Sequence, residues 1–256
     1  MAGQQDPEVR FGATLAAVGR AIRAAPAVFL VAWAARLALE AVSLLLRQEP
    51  VRLAYGDAIS RWTVLVGLGT IVVSGLLIRW LLRPGRQALR LDLGLLVYGL
   101  LIGLTRLTLV GEATLLRLDR VTTTPVSQLL ARTLLVQGGL AFLYLVFATL
   151  ALWPISVLMD KPLSPVRAVR LMAPAWLTWV LTVIVLALPG LVSAQAGWLL
   201  HHQFHRTLAD RLVDITLGSL TGTLSVFVLA QIYARRADGT DLPAARRAQP
   251  AVAAAG

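Results

Sequence analysis

The 256-residue chain contains no cysteine, so it can form no disulfide bond and offers no thiolate as a nucleophile or metal ligand. Charged residues are scarce at 14% of the chain, against roughly 25% in soluble domains. Hydrophobic residues, at 57%, take their place. These proportions exclude a soluble globular domain and predict an integral membrane protein.

Six apolar runs are long enough to cross a bilayer core about 30 Å thick, which takes roughly 20 residues of helix. Backbone amides in hydrocarbon must find partners within their own segment, so each run is predicted to be a helix. The predicted fold class is all-α, a polytopic membrane helix bundle with short basic interfacial helices on its cytoplasmic side. The predicted spans are 26–46, 62–82, 91–110, 133–154, 175–197 and 212–233, which together make one transmembrane domain over 26–233.

The segments that flank this domain have their own predicted structures. Residues 1–25 should hold an amphipathic interfacial helix, because Phe11, Val18 and Ile22 fall on one stripe at helical spacing. Residues 234–256 are predicted to be a disordered cytoplasmic tail. Two acidic residues stand where a signal peptide carries basic ones, so we expect no cleaved signal peptide.

The basic residues, 24 against 13 acidic ones, sit in short segments between the spans and form no separate basic domain, which argues against nucleic-acid binding. If the N-terminus is inside, the inside segments carry 14 Lys and Arg residues and the outside segments 9. Cytoplasmic segments of membrane proteins carry this excess. The sequence therefore predicts a multi-pass membrane protein with both termini in the cytoplasm.

Three basic segments, "GRAIRAAPAVFL", "GRQALRLDLGLL" and "VRAVRLMAPAWL", each place two arginines at the start of an apolar run. The chain either contains three similar hairpins, each introduced by such a segment, or the similarity arises by chance, and the sequence leaves both open. In the third segment Ser164 fits the N-cap of a helix and Pro165 its first position. Anionic headgroups of the inner leaflet are the expected partners. The predicted lipid contacts are Arg20, Arg23, Arg86, Arg90, Arg167 and Arg170.

Two opposite charges, Arg36 and Glu40, lie inside the first span and share one helix face. Each alone would cost about 3 kcal/mol at the bilayer centre, so the face should point into the bundle as a pair. The pair is either a structural pin between helices or a polar site on a substrate or ion path.

Glycines at four-residue spacing form two G-x-x-x-G faces that allow close helix approach, within the chain or in a homodimer. These are Gly99 with Gly103 and Gly218 with Gly222. The candidate metal ligands are His201 and His205, but no Glu base lies between them, and they fit interfacial polar residues better. No cofactor is predicted. No nucleophile, base and ligand converge, so the sequence predicts a protein that is not an enzyme.

Two stretches, "PLSPVRAVRLMAPAWLTWVL" at 162–181 and "QIYARRADGTDL" at 231–242, resemble a bacterial family. That family is typified by the membrane domain of glycerophosphoryl diester phosphodiesterase. The resemblance implies a multi-span helical domain of the bacterial plasma membrane, often standing alone. The catalytic barrel is not expected, because it needs about 250 residues and the predicted spans occupy most of this chain. The family's tail positions correspond to Tyr233, Arg235, Arg236, Gly239, Asp241 and Leu242.

Two functions remain open at this point. The first is a non-enzymatic membrane scaffold or regulatory module that binds anionic lipid, a protein partner or a second copy of the chain. The alternative is a small transporter, or the membrane subunit of a transport complex, that uses the face of Arg36 and Glu40.

Overall fold

The computed structural model describes residues 10–46, 61–103, 146–201 and 208–243. These residues form helices and turns with no strand among them, which confirms the all-helical prediction for this part of the chain. The helices are α1 (Phe11–Ala24), α2 (Pro26–Leu46), α3 (Arg61–Leu82), α4 (Leu93–Gly103), α5 (Leu152–Leu158), α6 (Pro165–Met172), α7 (Trp176–His201) and α8 (Leu208–Ala237).

Three helical stretches are long and apolar enough to cross a membrane, namely Leu65–Leu82, Pro165–Leu186 and Leu212–Ala237. A fourth span results if α1 and α2, which meet at 96°, are counted as one bent element. The described helices therefore support membrane insertion through three or four spans, and six spans are not confirmed. The predicted spans 91–110 and 133–154 extend into residues 104–145, which lie outside the described residues.

Helix α8 lies at the centre of the fold, in contact with α1, α2, α3, α5, α6 and α7. Residues 226–234 are nearly all buried, and Phe227, Val228 and Ile232 are fully so. The ring of Phe227 meets that of Phe29 from α2 edge-on, with centroids 5.8 Å apart. Burial on all sides means that other helices enclose this part of α8, and its one polar side chain between residues 226 and 232, Gln231, is hydrogen-bonded.

Helix α1 packs its small residues against the bundle, since Ala17, Val18 and Ala21 are buried. The predicted stripe is on this face, where Val18 and Ile22 contact the core. On the opposite face Arg23 is exposed. The amphipathic helix is present, and its position at the membrane interface stays a prediction.

Helix α6 begins where the sequence predicted. The Ser164 side chain accepts a hydrogen bond from the backbone N–H of Arg167 at 3.3 Å, and Pro165 occupies the first turn. Ala168 and Met172 are fully buried, while Arg167 and Arg170 face outward. The corresponding segment before α4 differs, because residues Arg86–Leu89 form only one turn of 3-10 helix.

The predicted disordered tail is wrong for its first part. Helix α8 continues to Ala237, and Gly239 adopts a positive φ of 66° that reverses the chain. Leu242 is then fully buried in the core. A left-handed backbone conformation costs glycine little, which explains why the reversal falls there. Residues 244–256 lie outside the described part of the chain.

Candidate functional site

One end of the bundle collects most of the described basic residues. There α1 and α6 meet the last turns of α3, α5 and α8 and the start of α4. We call this surface the basic end. Its cationic residues are Arg20, Arg23, Arg79, Arg83, Arg90, Lys161, Arg167, Arg170, Arg235 and Arg236.

Asp241 is the hub of one half of the basic end. Its carboxylate accepts hydrogen bonds from Arg235 Nε at 2.6 Å and Gln231 Nε2 at 2.5 Å. It also pairs with Arg20 Nη2 from α1 at 3.3 Å. Gln231 Oε1 in turn accepts from the backbone N–H of Leu242 at 3.1 Å. The chain reversal after α8 therefore returns a carboxylate that fastens α1 to α8.

The environment of Asp241 sets its charge. Burial alone raises the pKa of this carboxyl, but hydrogen bonds from Arg235 and Gln231, with the charges of Arg235 and Arg20, more than offset it. The net result is a pKa below the ordinary value. Hydrogen bonds to the charged form of a carboxyl act in this direction. Asp241 is consequently ionised at neutral pH.

Two further contacts attach the end of α8 to its neighbours. Arg236 Nε donates to the backbone carbonyl of Leu171 in α6 at 3.1 Å. Asp238 pairs with Lys161 at 3.4 Å, in the turn that links α5 to α6. The second pair is solvent-exposed, so it contributes little to stability.

Arg79 holds the other half of the basic end together. Only 5% of its surface is exposed, and its three nitrogens each have a partner on another segment. Nε donates to the carbonyl of Leu158 at 3.1 Å, Nη1 to that of Arg90 at 2.8 Å, and Nη2 to Asp92 Oδ1 at 2.5 Å. This guanidinium thus joins the ends of α3 and α5 to the start of α4.

Asp92 also starts helix α4, because the same Oδ1 accepts from the backbone N–H of Leu95 at 3.0 Å. The hydrogen bond from Arg79 is the main reason that the pKa of Asp92 lies below its ordinary value, and the Leu95 amide acts in the same direction. A carboxylate at a helix N-cap satisfies one of the free amides of the first turn.

The six arginines predicted to contact lipid divide into two groups. Arg23, Arg90, Arg167 and Arg170 are exposed on the basic end. Arg20 is instead engaged with Asp241, and the side chain of Arg86 lies outside the described residues.

The described acidic residues of the basic end leave the exposed arginines in excess. Asp92 pairs with Arg79 and Asp238 with Lys161. Asp241 pairs with both Arg20 and Arg235. Asp160 is the fourth described acidic residue there. The surface that solvent or lipid meets is therefore strongly cationic.

Arg36 lies inside the bundle, with 7% of its surface exposed. Its Nη2 donates to the Ser74 hydroxyl of α3, and its guanidinium lies against Gly222 of α8. Glu40, one turn further along α2, is partly exposed, and the ion pairs of the described residues include none between it and Arg36. Ser74 is one cross-helix partner of Arg36.

The four glycines predicted to bring helices together occupy different environments. A Cβ at Gly222 would collide with the Arg36 guanidinium, so this glycine provides space for a charged side chain. At Gly99 a Cβ would meet only Ile71, at an ordinary 3.8 Å. At Gly103 and Gly218 no described atom lies within 4 Å.

Close approach between α3 and α4 occurs at a glycine that spacing did not single out. A Cβ at Gly75 would lie 2.5 Å from Leu95 Cδ1 and 3.2 Å from the ring of Tyr98. Because Gly75 has no side chain, Leu95 and Tyr98 can pack directly against α3.

The histidine hypothesis falls mostly outside the described residues. His201 ends α7, its side chain is not described, and His205 lies beyond the described range. Among the described side chains, no group of three His, Asp or Glu residues could hold a metal ion.

Sequence reasoning missed Arg79, Asp92, Ser74 and Gln231 as contact residues. Asp92 had a readable signal, since an acidic residue directly before an apolar run is typical of an N-cap. Arg79 had none, because its partners Leu158, Arg90 and Asp92 lie 79, 11 and 13 positions away and meet it only in the folded chain. Gln231 was visible only as a polar residue in an apolar run.

No protein-family model, no curated protein and no solved structure matches this chain.

Proposed function

We propose that this protein is a non-enzymatic membrane scaffold or regulatory module that binds anionic lipid headgroups at its basic end. The observation that carries the proposal is the separation of the arginines into two sets. Arg20, Arg79 and Arg235 are used within the fold, whereas Arg83 and four of the predicted lipid contacts, Arg23, Arg90, Arg167 and Arg170, are exposed. These four lipid contacts lie on three different segments but at one end of the bundle.

The energetics favour an anionic partner. An exposed Arg near an anionic leaflet contributes about 1 kcal/mol, so a cluster of four can select lipids by charge. This attraction falls with salt, since the screening length shortens from about 10 Å at 0.1 M to about 3 Å at 1 M.

The test is lipid retention in native mass spectrometry, with Arg23, Arg90, Arg167 and Arg170 all changed to Gln. The parent should keep phosphatidylglycerol through purification in preference to phosphatidylcholine, and the variant should lose that preference. A control that changes Arg47, Arg52, Arg132 and Arg206 to Gln removes the same charge from the predicted opposite side and should behave as the parent. Equal retention in all three proteins would rule the proposal out.

The orientation that goes with this function places both termini and the basic end in the cytoplasm of a bacterial cell. The absence of native Cys makes single-Cys labelling clean. In intact cells, a membrane-impermeant maleimide should label Arg206→Cys and should reach the exposed Gly12→Cys only after permeabilisation. The reverse result would place the basic end outside.

The resemblance to the membrane domain of glycerophosphoryl diester phosphodiesterase fits this proposal. The tail positions that carry it are built into the basic end, where Tyr233 and Leu242 are buried and Asp241 binds Arg235. Such a module would act through lipid or a protein partner, without chemistry of its own.

Transport is the second candidate, and the burial of Arg36 beside hydroxyl side chains favours it. Thr70 and Ser74 are buried on the α3 face that Arg36 contacts. Intramembrane arginines are often found on substrate or ion paths. Chloride and phosphate flux into proteoliposomes is the test. Transport is supported if the parent gives more flux than protein-free vesicles and Arg36→Leu abolishes that excess. If the parent gives no excess flux, the transport candidate is ruled out.

A further inference from the structure

An apolar groove of about 710 Å³ lies between α3 and α4. Leu68 and Val72 form one wall, and Leu96 and Leu100 form the other. Between 39% and 60% of each of these side chains is exposed. The volume falls within the range of about 300–1,000 Å³ that is usual for ligand pockets.

Glycines on α4 keep this groove open. Both Gly99 and Gly103 line it. A Cβ at Gly99 would touch only Ile71, and none of the described atoms lies near a Cβ at Gly103. Among the described residues, the G-x-x-x-G spacing that predicts a helix contact therefore leaves space along α4.

The groove ends at the basic end, where Leu91 and Asp92 line it. The charge of Asp92 is balanced by Arg79, which also holds the carbonyl of Arg90 at 2.8 Å. Arg90 is thus fixed by its backbone directly before Leu91, and its side chain is exposed. An apolar groove whose lining begins at Leu91, directly after an exposed arginine, is complementary to an amphiphile with an anionic head.

We propose that this groove binds one acyl chain of an anionic phospholipid, with the lipid phosphate at Arg90. The proposal rests on the proposed function and deepens it, because it assigns one specific lipid position within a surface that otherwise attracts lipid by charge. The groove lies beside α3, one of the helices apolar enough to span, so acyl chains are the molecules that reach it.

Filling the groove is the test. Gly99→Leu places a side chain in the space beside Ile71, and Gly218→Leu is the matched control on α8, where no described atom is near. Native mass spectrometry would count bound phosphatidylglycerol and phosphatidylcholine. We expect Gly99→Leu to hold one phosphatidylglycerol fewer than the parent and Gly218→Leu. Arg90→Gln should lower phosphatidylglycerol retention severalfold and leave phosphatidylcholine unchanged.

A second variant guards against a folding defect in the first. Leu100→Trp fills the groove from a side chain that is 60% exposed, and it should reproduce the loss with the parent's helical circular dichroism. Full phosphatidylglycerol retention by both filled variants would overturn the groove proposal, while loss of retention in the four-Arg variant would still support the proposed function.

Two other results would also overturn the groove proposal. Equal loss of both lipids, with no effect of Arg90→Gln, would mean that the groove takes acyl chains regardless of the headgroup. Disappearance of a dimer from the spectra of the filled variants would mean that a second copy occupies it.

Discussion

Arg36 shows how a single charged residue is accommodated inside an apolar bundle. Its guanidinium donates to Ser74 and lies where Gly222 has no side chain, so two neighbouring helices make room for it. A buried charge is stable only when polar groups and space are provided together. Gly222 is therefore part of the arginine's environment, although its G-x-x-x-G spacing predicts helix packing.

Gly222→Ala should displace the Arg36 guanidinium. We expect the loss of a hydrogen bond to a charged group, about 1.5–3 kcal/mol, offset by up to about 1 kcal/mol of helix propensity. Unfolding in detergent by SDS titration measures the net loss. In an Arg36→Leu background the same substitution should cost nothing, and Gly218→Ala should be neutral or stabilising in both. An equal cost with and without Arg36 would contradict this account.

We also predict that Arg36 is coupled more strongly to Ser74 than to Glu40. A double-mutant cycle of Arg36→Leu with Ser74→Ala should give a coupling above about 0.5 kcal/mol, since the two groups share a buried hydrogen bond. The cycle with Glu40→Leu should stay below that value. The reverse order of coupling would restore the ion pair that the sequence pattern predicts.

At the scale of helices, two carboxylates organise the basic end. Asp92 joins α4 to Arg79 of α3, and Asp241 joins the segment after α8 to Arg20 of α1. Each fixes elements that are far apart in the chain, and the Arg20–Asp241 contact spans 221 positions. The arginines that pair with these carboxylates hold the helices in place, and the arginines without such a role form the exposed surface.

Loss of the Asp241 carboxylate should release α1. In Asp241→Asn we expect faster amide hydrogen exchange in α1 and in residues 238–243, with a stability loss of about 2 kcal/mol, typical of a hydrogen bond to a charged group. Asp238→Asn is the matched control, because its pair with Lys161 is exposed and contributes about 0–1 kcal/mol. Identical exchange of α1 in both variants would show that Asp241 does not fasten it.

Lowering the pH should weaken the contacts that Asp92 and Asp241 make as carboxylates. The folded pKa values of Asp92 and Asp241 lie below their ordinary value, so the unfolded chain binds more protons and stability falls as pH decreases. The contribution should be complete above about pH 5 and be lost as pH falls through the folded pKa values. Unfolding titrations between pH 7 and pH 3 measure this. In Asp241→Asn the free energy of unfolding should fall less between pH 7 and pH 3 than in the parent. An equal fall in both proteins would assign the effect to other groups.

The helices themselves were largely predictable, whereas their connections were not. The apolar runs at 26–46 and 62–82 gave α2 and α3 nearly residue for residue, since burial in lipid imposes length and composition. The start of α6 was readable from Ser164, because capping is local. The role of Arg79 was not readable, since it depends on a carbonyl brought close only by folding.

For the whole molecule, the described structure separates the apolar spans from one strongly cationic end. Three or four helices are apolar enough to cross a membrane, and the carboxylates at the basic end are mostly engaged within the fold. The exposed arginines then meet whatever lies next to that end. In a bacterial membrane with this end inside, that neighbour is an anionic leaflet.

The most direct test of this account is the lipid composition around the protein in nanodiscs of equal phosphatidylglycerol and phosphatidylcholine. Phosphatidylglycerol should be enriched around the parent, with roughly a fivefold loss of preference for each of Arg23, Arg90, Arg167 and Arg170 changed to Gln, which corresponds to about 1 kcal/mol per charge. Raising salt from about 0.1 M to 1 M should reduce the preference in the parent more than in the four-Arg variant, which keeps only Arg83 of the exposed arginines at the basic end. A parent protein surrounded by the two lipids in equal amounts at low salt would contradict the account.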